Sequence, residues 1–236
     1  MAEVRTIGLS VLTDKNESRG RTIEVEKGVL SRNQELADEL RKRFGVHGIL
    51  ALNFVSSPGS GKTTLLARTF TDMPDVRAGV IVGDLATDND ATTLRASGAE
   101  TVQIMTGGVC HLEASMVSKA VAPLPLEELD LVAIENVGNL VCPAAFDLGE
   151  DLRIVMLSVT EGEDKPLKYP TIFKSADVVI LTKTDLAEAV GFDRSAALEN
   201  LRLTAPGATV FEVSARSGEG LSDWYDYLAN RLGRAQ

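Results

Sequence analysis

Residues 49–66 read ILALNFVSSPGSGKTTLL, and no other stretch constrains the chain as much. An apolar run, Ile49 to Val55, carries the backbone into Ser56-Ser57-Pro58-Gly59-Ser60-Gly61-Lys62-Thr63, and a helix-competent segment follows from Thr64. Strand, Gly-rich loop and helix in immediate succession are the context that gives a phosphate-loop pattern its meaning. The N–H groups of such a loop and the N-terminus of the helix together form an anion cradle. Pro58, Gly59, Ser60, Gly61, Lys62, Thr63 and Thr64 are therefore the candidate phosphate contacts. Lys62 is placed to reach the outer phosphates, and the Thr63 hydroxyl to sit on Mg²⁺. One position departs from the pattern, since Ser56 stands where its first glycine belongs. A chance Gly/Ser turn would not require these flanks, and a nucleotide-binding protein is expected.

A chain of 236 residues makes one large α/β domain or two small ones. Its 34 acidic and 24 basic residues leave a net charge of −10, which argues against nucleic acid or an anionic membrane as partner. No apolar run approaches the ~20 residues of a membrane span. The opening MAEVRTIGLSVLTDKNESRG lacks the apolar centre of a signal peptide. Two cysteines do not make a disulfide scaffold, so the expected location is cytoplasmic.

Along the chain, Arg5–Leu12 forms a short β-like run and Thr13–Arg21 a polar, turn-prone stretch. Residues 1–30 are read as an N-terminal arm and 31–236 as a single domain. Ser31 and Gln34 have capping-box spacing, and Leu36, Leu40 and Phe44 repeat at helical spacing, predicting a helix over 32–45. His47, just beyond it, is read as a solvated or capping histidine. After the phosphate loop, strand-like runs at 76–82, 102–105, 129–134, 152–159, 177–182 and 209–213 alternate with helix candidates around 91–97, 112–121, 166–175, 193–204 and 219–232. Alternation at this rhythm predicts an α/β fold of the P-loop type, a mainly parallel sheet with helices on both faces. Ligands of such sheets gather at the carboxyl ends of the strands.

Those ends carry the next candidates. Gly83-Asp84-Leu85-Ala86-Thr87-Asp88-Asn89-Asp90 places three carboxylates beside the phosphate site. Asp84 is the candidate for Mg²⁺ or for orienting water, while Asp88 and Asp90 fit helix capping better. Glu135-Asn136-Val137-Gly138 follows LDLVAI, where a nucleotide switch would sense the γ-phosphate. Glu135 is the candidate sensor and magnesium contact, against the alternative of a solvent-facing strand-end carboxylate. Lys62, Asp84 and Glu135 form the candidate catalytic set.

Thr182-Lys183-Thr184-Asp185 and Ser214-Ala215-Arg216 each follow a strand-like run. The Asp185 carboxylate would accept from guanine N1 and N2, the Lys183 stem would lie over the ring, and the Ser214-Ala215-Arg216 loop would offer a backbone N–H to O6. Adenine presents the opposite donor pattern, so the carboxylate discriminates. Either loop alone is an ordinary polar turn; both together, downstream of a phosphate loop, indicate GTP. Cys110-His111 and Cys142 are the remaining candidates. Thiolate and imidazole suit Zn²⁺ or Ni²⁺. Adjacent Cys110 and His111 are expected to diverge, three ligands do not close a four-coordinate site, and spacing alone favours buried structural cysteines.

From about Ser31 the chain resembles the HypB-type GTPases of nickel–iron hydrogenase maturation, a dimerising branch of the P-loop GTPases. The likeness rests on LNFVSSPGSGKTTLL, GDLATDNDA, TGGVCHL, ENVGNLVCP, SVTEGEDKPLKYP, TKTD and SARSGEG. It reverses the reading of the cysteines: it implies that Cys110, His111 and Cys142 form a nickel or zinc site at the interface of a GTP-dependent homodimer, coupled to nucleotide state. It further implies nickel delivery with a HypA-type chaperone, and Lys165 and Lys168 near the partner's nucleotide; with no arginine finger or glutamine read at a switch position, GTP hydrolysis without a partner is expected to be slow. Without a His-rich tract or a Cys-x-x-Cys near the start, neither nickel storage nor a second metal site is expected. A sister GTPase serving urease would share the nucleotide loops but carries Cys-Pro-His, where this chain has Cys142-Pro143-Ala144. A small-molecule kinase leaves the two guanine loops unexplained, and a non-catalytic nickel- or zinc-binding protein predicts no GTP turnover.

Overall fold

The computed structural model describes residues 10–84 and 89–234, with side chains from residue 28 onward. The chain opens with the long helix α1 (Ser10–Val46), then β1 (Leu50–Ser56), α2 (Lys62–Asp72), β2 (Ala78–Asp84), α3 (Asn89–Ala96), β3 (Glu100–Met105), α4 (Ala114–Val121) and β4 (Leu131–Glu135). The second half adds β5 (Leu152–Ser158), the short helices α5 (Lys165–Lys168) and α6 (Pro170–Lys174), β6 (Val178–Thr182), α7 (Ala187–Val190), α8 (Arg194–Thr204), β7 (Thr209–Val213) and α9 (Leu221–Arg231).

The strands make one seven-stranded sheet in the order β3-β2-β4-β1-β5-β6-β7, and every pairing is parallel. Parallel sheets are buried on both faces, so their inner strands read as continuous apolar runs. Every residue of β4, β5 and β6 is buried, whereas the edge strand β3 is mostly half-exposed. Alternate residues of the central strand β1 enter different cores. Leu52 and Phe54 pack with Leu65, Leu66 and Trp224 on one face. Ala51 packs with Leu40 and Phe44 of α1 and Val117 of α4 on the other, where Val55 joins a third cluster with Phe173 and Leu201. Because all seven strands run the same way, their carboxyl ends share one edge, and the sequence places the phosphate loop, Asp84, Glu135, Thr182 and Ser214 there.

The predicted strands are recovered to within two residues or so at most ends, and residues 209–213 coincide with β7. Four expectations need correction. Ser31 is an interior residue of α1, not a helix cap, and Thr13–Arg21 is helical as well. Of the β-like run Arg5–Leu12, residues 5–9 lie outside the described residues and Ser10–Leu12 are helical. The predicted helix over 166–175 is two helices, because Tyr169 before Pro170 leaves the helical region with ψ of 53°. His47 is half-buried in the turn after α1. No helix among the described residues is long and apolar enough to cross a membrane.

The amino edge of the sheet is tied by Asp130. Its carboxylate accepts from the backbone N of Arg77 at 2.9 Å, from Arg77 Nε at 3.1 Å and Nη2 at 2.9 Å, and pairs with Arg234 Nη2 at 2.7 Å. The Arg77 guanidinium beside it holds this carboxyl down at about 2. Its folded pKa lies below the unfolded value, so its stabilisation is present above pH ~4 and lost as pH falls through about 2. Arg77 is 59% exposed, and solvent screening reduces the effect. Asp130→Asn is expected to cost about 1–2 kcal/mol at pH 7 in urea unfolding. The gap between variant and parent should narrow steadily between pH 4 and 2.

Candidate functional site: a nucleotide cleft beside a Cys/His cluster

The phosphate loop leaves β1 with Gly59 at φ 74° and Gly61 at φ 94°, left-handed values that a side chain would oppose. Its carbonyls are satisfied from outside the loop. Lys183 Nζ donates to Gly59 O at 2.7 Å, and the buried Thr182 hydroxyl donates to Ser60 O at 2.8 Å. The Ser60 hydroxyl has Glu161 Oε1 at 2.6 Å and Ser57 O at 2.9 Å as acceptors. Lys183 is the single non-glycine residue with positive φ, 59°, among the described residues. That conformation carries its stem back along the loop, with Cε 3.9 Å from where a Cβ on Gly61 would stand.

Lys62 is buried and donates to Ser56 Oγ at 3.0 Å, so the serine at the pattern's first position supplies an acceptor where glycine has none. Burial lowers the Lys62 pKa, and the Glu135 carboxylate opposes that shift. Glu135 is 3% exposed; its Oε1 accepts from the Thr63 hydroxyl at 2.8 Å. Burial pushes its carboxyl up to about 7 against the pull of Lys62, and Oε2 is buried with no hydrogen-bond partner. An orphaned carboxylate oxygen beside a threonine hydroxyl and an ammonium is a donor set into which a hard divalent cation fits. The solvent-facing alternative for Glu135 is thereby removed.

Two adjoining cavities follow from this arrangement. One, of about 420 Å³, is lined by Pro58, Gly59, Gly61, Lys62, Thr63, Thr64, Asp84 and Asp90, together with Asn136, Val137 and Gly138. The other, of about 160 Å³, is lined by Lys183, Asp185, Ser214, Ala215 and Arg216, with Ser60, Gly61 and Thr64 also on its wall. Gly61, Thr64 and Lys183 border both. The structure thus brings every candidate nucleotide residue to one continuous cleft. Asp88 lies outside the described residues, and Asp90, read above as a cap, lines the phosphate cavity instead. Gly138 matters for closeness of approach, since a Cβ there would stand 2.8 Å from Pro58 Cα. Sequence reasoning missed Glu161. Its signal was the Ser158-x-x-Glu161 spacing, which here forms a capping box whose glutamate also reaches Ser60.

The Glu135–Gly138 segment runs on to Cys142. Cys110 and His111 do not diverge: Cys110 Sγ lies 3.8 Å from His111 Nδ1 and 2.7 Å from Cys142 Sγ, and one ligand atom from each of the three falls within 4.8 Å of the others. All three are half-buried. Gly107 and Gly108, with φ of 61° and 104°, turn the chain after β3 sharply enough to bring both side chains to one side. The neighbouring Cys142 sulfur and burial hold the Cys110 thiol up, and burial holds His111 down in its neutral, ligand-competent form. His111 Nε2 is buried without a hydrogen-bond partner, and its ring stacks on Phe146 at 4.1 Å. Two sulfurs and an imidazole form a set that fits a borderline-soft cation.

Residues 50–212 match the family described as CobW/HypB/UreG, nucleotide-binding domain. The chain is 52% identical over 212 residues to the hydrogenase maturation factor HypB of Rhizobium leguminosarum bv. viciae, covering 89% of this chain and 71% of that one. It is 48% identical to HypB of Escherichia coli K12, covering 89% and 73%. The crystal structure of HypB from Helicobacter pylori in complex with nickel superposes with a TM-score of 0.82 at 44% identity, over 86% of this chain and 95% of that one. HypB from Archaeoglobus fulgidus gives 0.80 at 39%, over 86% and 99%. A signal recognition particle 54 kDa protein from Aeropyrum pernix, in complex with GDP, shares the fold at a TM-score of 0.55 and 18% identity, over 84% of this chain and 51% of that one. On the phosphate loop, the buried strand-end glutamate and this degree of likeness, the chain belongs to the CobW/HypB/UreG family, as a hydrogenase maturation factor of the HypB type.

Proposed function

We propose that this protein is a GTP-hydrolysing metallochaperone that delivers nickel during the maturation of nickel–iron hydrogenase. One observation carries the reading: Cys110, His111 and Cys142 converge within 4.8 Å, at the far end of the segment whose Asn136, Val137 and Gly138 line the phosphate cavity. A relative whose crystal structure holds nickel has the same fold at 44% identity. Nickel is the cargo, and zinc competes for the same donors. Three ligands leave a position for water or for a second copy of this chain, so GTP-dependent homodimerisation is part of the proposal, as is hand-over with a HypA-type nickel chaperone. The action is placed in the cytoplasm, with no nucleic acid or membrane as partner, and residues 31–236 are taken as the GTPase domain behind an arm of 1–30.

In the proposed reaction water attacks the γ-phosphorus, the bond from that phosphorus to the β–γ bridging oxygen breaks, and GDP, phosphate and a proton leave. The loop N–H groups and Lys62 would hold the phosphates, Thr63 and Glu135 would hold Mg²⁺, and Asp84 would orient the water. Mg²⁺, when bound, supplies positive charge to the β- and γ-oxygens. Asp185 and Lys183 hold guanine, with Ser214, Ala215 and Arg216 closing its edge. Burial keeps Lys62 out of competition with water, which strengthens the action of its charge on the ligand.

A second reading is favoured by one finding. The Helicobacter pylori relative, 43% identical over 89% of this chain, is named a hydrogenase/urease maturation factor. Delivery to urease therefore stands beside delivery to hydrogenase, and transfer of ⁶³Ni from this protein to each purified apo-enzyme separates them.

Purified protein is expected to hydrolyse GTP at roughly 10⁻⁴ to 10⁻² s⁻¹ without a partner. Lys62→Ala should abolish turnover, and a parent protein with no turnover at all would leave only a metal-binding scaffold. Asp185→Asn exchanges a double acceptor for an amide, so GTP affinity should fall on the order of a hundredfold and xanthosine triphosphate should bind better. Unchanged GTP affinity in that variant, measured by calorimetry, would remove Asp185 from the base site. Metal analysis should find about one Ni²⁺ per site in the parent, and a marked loss in Cys142→Ala.

A further inference from the structure

A buried polar chain links the phosphate cavity to the Cys/His cluster by a route separate from the backbone between Glu135 and Cys142. Asn136, 1% exposed, follows Glu135 and lines the phosphate cavity. Its Oδ1 accepts from Val137 N at 2.9 Å and from Leu112 N at 3.1 Å, the first backbone donor after His111. Its Nδ2 donates at 3.4 Å to Oδ1 of the fully buried Asn53 in the middle of β1. Asn53 Nδ2 donates at 3.1 Å to Glu150 Oε1, which also accepts from Arg153 Nε at 2.9 Å and Nη2 at 2.7 Å. Arg153 Nη2 donates on to Phe146 O at 2.9 Å, and the Phe146 ring carries His111. The chain thus starts beside His111 at Leu112 N and ends under its ring.

Two asparagines and an ion pair are costly to bury beneath an α/β sheet unless each polar group is used. Here each bond has a function that apolar packing cannot supply, since it fixes the backbone after His111 and the ring under it relative to one residue of the phosphate cavity. The loop bearing Asn136 has little slack, because Gly138 is pressed against Pro58 of the phosphate loop. A displacement of this loop by the γ-phosphate therefore moves the Asn136 amide, and Leu112 N moves with it or loses its acceptor.

Resting on the metal-delivery reading above, we infer that Asn136 is the positioning residue through which nucleotide state sets the seat of His111, and thus the grip on the metal ion. Asn136 touches neither thiolate nor imidazole. It acts through Leu112 on one side and through Asn53, Glu150, Arg153 and Phe146 on the other. Linkage requires that if nucleotide changes metal affinity by some factor, metal changes nucleotide affinity by the same factor.

The test titrates Ni²⁺ into the full chain loaded with GDP or with a non-hydrolysable GTP analogue, reading affinity and the Ni²⁺–thiolate absorption band. The parent is expected to show a ratio of affinities between the two states of roughly 5- to 150-fold. Asn136→Ala should bring that ratio below about twofold and make the band the same in both states. Because the ratio compares two states of one variant, a general loss of affinity or stability cancels. Should Asn136→Ala not fold, Phe146→Leu loosens the seat from the other end and should lower the ratio likewise. A ratio undiminished in Asn136→Ala, or in Phe146→Leu where Asn136→Ala does not fold, or a parent with equal affinities in both states, overturns the inference. Nickel binding that survives Cys110→Ser and Cys142→Ser together would instead overturn the metal reading beneath it.

Discussion

A loop that turns its N–H groups inward to receive an anion turns carbonyl groups outward, and buried carbonyls need donors. The rest of the carboxyl edge is arranged around that need. Gly59 O takes the Lys183 ammonium, and Ser60 O takes the Thr182 hydroxyl. The donors are the last residue of β6 and the first of the loop after it, which also carries Asp185 on the wall of the neighbouring cavity. The phosphate loop therefore keeps its shape only while the guanine-type loop is in place, and each half of the cleft is built on the other. A left-handed residue costs about 1 kcal/mol or more, and the φ of Lys183 goes with setting its ammonium on the exposed Gly59 carbonyl. Thr182 thereby directs its hydroxyl at the phosphate loop.

Charge burial at the end of β4 follows the same logic. Lys62 and Glu135 are both withdrawn from water, and each offsets part of the desolvation of the other. The compensation is incomplete, because Glu135 Oε2 has no partner. An incompletely satisfied buried charge destabilises the fold unless a ligand completes it. The cluster of Cys110, His111 and Cys142 has the same character in softer chemistry, with a partnerless imidazole nitrogen and a thiol held protonated by its neighbour. Two unfinished sites at the two ends of one eight-residue segment, Glu135 to Cys142, are what a protein that couples two ligands requires.

Much of this was legible before any coordinates. The strand–loop–helix context identified the phosphate loop, alternating apolar runs identified a parallel sheet, and two short loops after strands pointed to guanine, because each signal is local and its physics acts over a few residues. The N-terminal region was misjudged since its polar composition mimics turns, while α1 is a single helix whose Ala37, Leu40 and Phe44 dock on the sheet. The break at Tyr169-Pro170 was readable from the proline, and the apolar periodicity around it concealed the break.

The candidate site divides along the same line. The identities of Lys62, Thr63, Glu135 and Asp185 were fixed by their places in motifs, which is why all four fall on the cleft. Their environments were not. That Glu135 is buried with an orphaned oxygen, that Asp90 lines the cavity beside the phosphate loop and that Glu161 holds Ser60 depend on which strand lies beside which. Cys110, His111 and Cys142 show the difference most clearly. From residue types and spacing they favoured structural cysteines beside a diverging histidine, and the resemblance alone reversed that reading. The sheet order sets β2 and β4 side by side, with β3 outside β2, so the loops after β3 and β4 meet. The turn at Gly107 and Gly108 then aims both side chains at Cys142. The sequence by itself determined which chemical groups stand at the strand ends, since a strand's period and a loop's length are local matters. Only the tertiary structure decided which of them touch, because strand order is a property of the whole chain's packing and is written in no single segment.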